Sequence, residues 1–140
     1  MPTTFTGPIR SGTVREGASV NAGRVVLTQT NTIAFTDTTK TMFILPKGFR
    51  LLNVFIDTTT AFNAATTNTM SIGKSGGTTT FYVAATACGS TGRQSIATTG
   101  AYGSWLDAST ADVTITATYA QSGTAATTGA GNITVEYEQI

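Results

Sequence analysis

The stretch from Thr41 to Asp57, TMFILPKGFRLLNVFID, decides the reading of this chain. Two apolar runs flank a Pro-Lys-Gly corner. Pro46 presets φ for the second position of a turn, and Gly48 supplies φ > 0 at its exit. The spacing predicts a hairpin with a glycine bulge. In the second run Leu52, Val54 and Ile56 fall on one face, and Asn53 and Asp57 share the other with Leu51 and Phe55. A short helix is the rival, but Pro46 and Gly48 sit where they would break it. As the most apolar part of the chain, this stretch is the expected centre of the core.

Composition agrees with strands. The chain has 140 residues, enough for one domain that buries its own core. Charged residues make up 11%, against about 25% in an ordinary soluble domain. Threonine takes their place, at nearly a quarter of the chain. It is β-branched, and its hydroxyl wets an outward face without charge. A net charge of +1 offers no field for nucleic acid or an anionic membrane, so neither is expected as a partner. The charge is segregated: Arg10, Arg15, Arg24, Lys40, Lys47 and Arg50 stand in the first 50 positions, whereas most acids follow. Cys88 is alone, so no intrachain disulfide forms, and it reads as a small apolar group. The N-terminus lacks the pattern of a signal peptide, and no apolar run reaches membrane-spanning length.

Along the chain, residues 1–24 hold few large apolar side chains and several Pro and Gly breakers. They read as an extended arm with Phe5 and Ile9 as anchors. Residues 25–140 read as the β-domain. Short strands are expected at Arg24–Thr30, Thr32–Thr36, the two arms of the hairpin, Thr69–Lys74 and Thr79–Ala85, with Phe81 and Val83 on one face and Tyr82 opposite. Thr58–Asn68 reads as a polar connection with Phe62 as a plug, and residues 86–111 as the least regular part. The two closing strands alternate cleanly. Val113, Ile115, Ala117 and Tyr119 oppose Thr114, Thr116 and Thr118, and Ile133, Val135 and Tyr137 oppose Thr134, Glu136 and Glu138. One buried and one wet face is the pattern of an antiparallel sheet packed on one side. About eight strands and no convincing helix predict an all-β chain: an antiparallel β-sandwich, with a jelly roll as one candidate arrangement, carrying an extended N-terminal arm.

Chemistry is thinly represented. With no histidine, the Ser-His-Asp and Cys-His systems are excluded. A lone cysteine excludes a Cys-cluster zinc site within the chain. No phosphate-cradling loop or calcium loop has the required spacing. Asp107 and Asp112 flank a turn near Tyr102 and Trp105, the nearest approach to a hydrolytic carboxylate pair, and the acids are otherwise scattered. Tyr82, Tyr102, Trp105 and Tyr119 are the candidates for a sugar platform. No catalytic, cofactor-binding or metal-binding residue is assigned, and the chain is expected not to be an enzyme.

The segment ILPKGFRLLNVFIDTTTAFNAATTNTMSIGKSG, a glycine-rich middle and the close GNITVEYEQI resemble the small structural proteins of tailed-bacteriophage heads. They are similar to the decoration, or cement, proteins that bind the outside of icosahedral capsids. The resemblance runs from about Arg24 to the C-terminus. It implies a virion location on the capsid exterior after synthesis in the host cytoplasm, the major capsid protein as partner, self-association as a homotrimer, and no cofactor. The arm residues Phe5, Ile9, Arg10, Arg15 and Arg24 are the expected partner contacts. The alternative is a carbohydrate-binding or adhesive module of a head fibre or tail, which requires exposed Tyr and Trp.

Overall fold

The computed structural model describes residues 12–14, 20–22, 25–96 and 109–139. The described residues hold ten strands and no helix: β1 (Gly12–Val14), β2 (Val20–Ala22), β3 (Val26–Ala34), β4 (Thr39–Leu45), β5 (Phe49–Thr60), β6 (Thr67–Lys74), β7 (Val83–Ala87), β8 (Gly92–Ser95), β9 (Val113–Ser122) and β10 (Ala130–Gln139). β3 to β10 form a sandwich of two four-stranded antiparallel sheets, one ordered β3-β10-β5-β8 and the other β4-β9-β6-β7. The pairs β3–β10, β4–β9, β5–β8 and β6–β7 make one long antiparallel ribbon. It is rolled until β10 meets β5 and β9 meets β6.

The closing strands behave as their alternation predicts. Ile115, Ala117 and Tyr119 of β9, and Ile133, Val135 and Tyr137 of β10, are buried between the sheets. They meet Val54 and Ile56 of β5 and Met70 and Ile72 of β6. Each such aliphatic side chain contributes about 1.5–3 kcal/mol on full burial.

The central stretch departs from expectation in pairing and in phase, and its turn begins one residue later than expected. The turn forms, with Phe49 N–H donating to Pro46 O at 3.2 Å and Gly48 at φ 83°. That places Pro46 first in the turn and Gly48 third, where a type II turn needs positive φ. Yet β4 and β5 do not pair, so this is no hairpin; the chain passes from one sheet to the other. Both runs have an inner face, and two inner faces can also close by opposing each other across the core. The corner is clamped from outside: Gly48 N–H donates to Ser109 O at 2.9 Å, Ser109 Oγ to Pro46 O at 2.8 Å, and Lys47 N–H to Asp112 Oδ1 at 2.9 Å. The second departure is in phase. A bulge leaves Leu52 without a partner between the pairs Glu136–Asn53 and Tyr137–Leu51. Leu51 and Phe49 therefore turn inward with Val54 and Ile56, and Leu52 is only half-buried.

Smaller corrections follow from pairing that sequence alone does not reveal. The two strands expected over 24–36 are one, held straight by β10. The strand expected at Thr79–Ala85 starts at Val83, so Tyr82 and Val83 are both buried rather than on opposite faces. β8 lies within the stretch read as least regular. Within residues 1–24, where only an extended arm is expected, β1 and β2 pair with each other.

One end of the sandwich is closed by Phe62, which is the plug its position suggests. Its ring packs on Tyr119 at 4.5 Å between centroids and lies directly beneath Gly129, where an added Cβ would collide with Phe62 Cδ1. Around it Asn63 accepts hydrogen bonds from Thr127 N–H and Thr128 N–H, and Asn68 accepts from Tyr119 Oη at 2.6 Å. Phe62→Ala is expected to cost about 3–5 kcal/mol, read as a lowered denaturation midpoint. Gly129→Ala is expected to destabilise as well, because Gly129 holds φ 147° and has no room for a methyl.

Cys88 sits in the same core, and burial pushes its thiol up to about 11. The folded protein thus retains a proton that the unfolded chain releases near its ordinary value. Stability is full below that value and falls as pH rises toward 11. Burial raises Tyr82 and Tyr119 in the same direction. Thermal melts between pH 8 and 11 are expected to show this decline, less steep in Cys88→Ala. At pH 8 the native thiol is expected to resist a thiol reagent that labels it fully in denaturant.

Candidate functional site

The outer faces of the two sheets differ in kind. Outward positions of β4, β9 and β6 follow from their registers: Thr39 beside Thr118 beside Ser71, Thr41 beside Thr116 beside Gly73, Ile44 beside Thr114, and Ala120 beside Thr69. None carries a charge. Inward alternation on these strands consumes most of the large apolar residues, so the outer face is left with threonine, serine, alanine and glycine, and with Ile44 as its one large apolar side chain among the described residues. The Thr39 and Thr118 hydroxyls share a hydrogen bond at 3.2 Å. At one margin the loop after β6 folds over Gly73, where a Cβ would collide with Thr78 O. The result is a neutral plate on which Thr39, Thr41, Ile44 and Ala120 are exposed while Ser71 and Thr116 are buried, and its desolvation costs far less than that of a charged surface.

The opposite plate, on β10, β5 and β8, carries two of the ion pairs, and a third, Lys40 with Asp37 at 3.6 Å, lies at the turn between β3 and β4. Arg93 grips Asp57 through two parallel hydrogen bonds, Nε to Oδ1 at 2.6 Å and Nη2 to Oδ2 at 2.9 Å. That grip holds the Asp57 carboxyl below its usual range, with the hydrogen bond as the largest cause. The Arg93 side chain is 68% exposed, so the pair adds little to stability. It also lies over the ring of Phe55 at 5.4 Å. Arg50 meets Glu138 at 2.6 Å, with Glu138 buried. Asn53 and Ser95 exchange hydrogen bonds beside them.

The structure sorts the sequence candidates. Tyr82 and Tyr119 are core residues and do not form a sugar platform. Tyr102, Trp105 and Asp107 lie outside the described residues, as do Phe5, Ile9, Arg10, Arg15 and Arg24. Asp112 is exposed and caps Lys47 N–H at the corner. The partition of charge between two plates went unread in the sequence. Its signal was present as alternating threonines in β9, but the face of β4 depends on a bulge between Thr41 and Phe43, and the place of β6 beside β9 on its pairing register.

No protein-family model matches the chain, and no curated protein matches it. Solved structures do. The chain is similar to a chain of the cyanophage Pam1 capsid asymmetric unit, with 25% identity, all of both chains covered and a TM-score of 0.66. It shares its fold with a chain of the acidic stable capsid structure of Helicobacter pylori bacteriophage KHP30, at 14% identity over 81% of this chain and 87% of that one, with a TM-score of 0.62. Both neighbours come from phage capsids, in agreement with the resemblance to phage-head structural proteins.

Proposed function

We propose that this chain is a virion structural protein that binds the outer surface of an icosahedral phage capsid and stabilises it, without catalysis. The observation that carries the reading is the likeness, along the whole chain, to a chain of a cyanophage capsid unit. Strand order supports it. Numbered in chain order, the eight sandwich strands form one sheet from the first, eighth, third and sixth, and the other from the second, seventh, fourth and fifth. A jelly roll has this arrangement, which recurs in viral capsid domains. The absence of histidine from the whole sequence and the protonated, buried Cys88 support a non-enzymatic role.

The neutral plate of β4, β9 and β6 is the surface best suited to lie on a shell. It loses little on desolvation, and many such weak contacts from a homotrimer sum to firm attachment. The arm, with Phe5, Ile9, Arg10, Arg15 and Arg24, would add a second grip on the major capsid protein. An adhesive sugar-binding role has less support, since two of its four aromatic candidates are buried.

Co-sedimentation with undecorated shells tests this. The intact protein is expected to pellet with the shells. Thr41→Lys/Thr118→Lys, which puts two charges on the neutral plate, is expected to weaken binding at least tenfold, or about 1.4 kcal/mol. Ser95→Lys on the other plate is expected to bind as the parent does, and deletion of residues 2–20 to bind less well. Failure of the intact protein to pellet would sink the cement reading. Equal binding by the Thr41/Thr118 variant would remove the neutral plate from it.

A further inference from the structure

β3 is the outer strand of its sheet, and its free edge is closed along only half its length. Phe35 N–H donates to Gly129 O at 2.9 Å. With the register Ile33–Gly131 to Leu27–Tyr137, this turns the backbone groups of Leu27, Gln29, Asn31 and Ile33 toward β10. Those of Val26, Thr28, Thr30, Thr32 and Ala34 face away from the sheet. The last two are capped. Ala34 N–H donates to Asp37 Oδ2 at 3.0 Å and Ala34 O accepts from Asp37 N–H at 2.9 Å. Thr32 N–H donates to Asn31 Oδ1 at 2.8 Å, and Thr32 O accepts from Lys40 Nζ at 2.7 Å. Among the described residues nothing caps Val26, Thr28 or Thr30.

Sheet proteins ordinarily blunt an open edge with a charge, a proline or a bulge. Val26-Leu27-Thr28-Gln29-Thr30 has none of these, and its register against β10 runs without a shift. Val26, 50% exposed and so one of the two exposed large apolar side chains among the described residues, lies within it.

We propose that this open half of β3 pairs with the same segment of a second copy, antiparallel, about a two-fold axis through Thr28. A strand edge is complementary to itself under such an axis, and an uncharged one meets no like-charge penalty against its own copy. Thr28 is the centre that uses all three open residues and leaves the capped Thr32 and Ala34 outside. Val26 then faces Thr30 of the partner subunit, and about six backbone hydrogen bonds close the ladder. The contact is smaller than a free-standing dimer needs, so it is weak between isolated chains and gains strength where copies are held side by side. It is a property of the chain itself and is tested without any shell, so it stands or falls apart from the capsid reading.

The test is oxidative trapping of Thr28→Cys in the full chain, read on a non-reducing denaturing gel. Buried Cys88 does not compete. Paired Cα atoms about 5.5 Å apart across the axis suit a disulfide. Thr28→Cys is expected to give a linked dimer at least tenfold faster than Thr30→Cys, whose copies lie about 14 Å apart in this register. Sedimentation equilibrium of the cysteine-free-edge parent and of Thr28→Lys is the second measurement, with self-association at least tenfold weaker in the lysine variant. Equal trapping at both positions, faster trapping at Thr30, no trapping above that of Thr59→Cys, or parental association in Thr28→Lys would each overturn the proposal.

Discussion

Every strand of the sandwich depends on one constraint: the inner faces of β5 and β10 must close against those of β6 and β9. Val54, Ile56, Ile133 and Val135 come from one side, and Met70, Ile72, Ile115 and Ala117 from the other, all buried. Two sheets packed face to face leave a single layer of interlocked side chains about 10 Å thick. Within it one residue out of phase exchanges the wet and dry sides of a whole strand. The bulge at Leu52 corrects such a phase error midway along β5, the longest strand. The Phe62 plug and the clamp on the Pro46–Gly48 corner then seal the layer at its ends.

The same constraint distributes the polar residues. Once the large apolar side chains are drawn inward, what remains outside is decided by which strand lies centrally. On β9 the outward set is threonine, and on β10 and β5 it includes Glu136, Glu138, Arg50 and Asp57. Two chemically different plates therefore arise from one core, and a molecule with two such plates can present one to a neighbour and keep the other wet. A two-fold contact at the β3 edge would leave both plates uncovered, and it is compatible with a separate threefold contact elsewhere on the surface.

Much of the fold was legible because β9 and β10 each turn their large apolar residues to one face and polar residues to the other, even where Thr116 and Glu138 are themselves buried. The turn at Pro46–Gly48 was legible too, but a turn signal is local. It cannot say whether the strands it joins pair with each other or part into different sheets. The alternation of β5 holds at Val54 and Ile56 but fails on the N-terminal side of its bulge, where Leu51 and Phe49 turn inward, because that bulge is set by pairing with Glu136 and Tyr137, more than 80 positions away. β8, with the sequence GRQS, has no apolar period and exists as a strand only because β5 pairs with it. The neutral plate was half legible in the Thr114, Thr116 and Thr118 series. Its remainder needed the registers of β4 and β6.

The central claim is that this sandwich belongs to a capsid surface and meets it through the neutral plate. A cryo-electron microscopy reconstruction of shells incubated with the protein tests it most directly. The account predicts density for the sandwich on the outside of the shell, with Thr39, Thr41 and Thr118 toward the capsid and Arg93 and Phe55 toward solvent. Shells without added density, or density docked through the Arg93–Asp57 face, would contradict it.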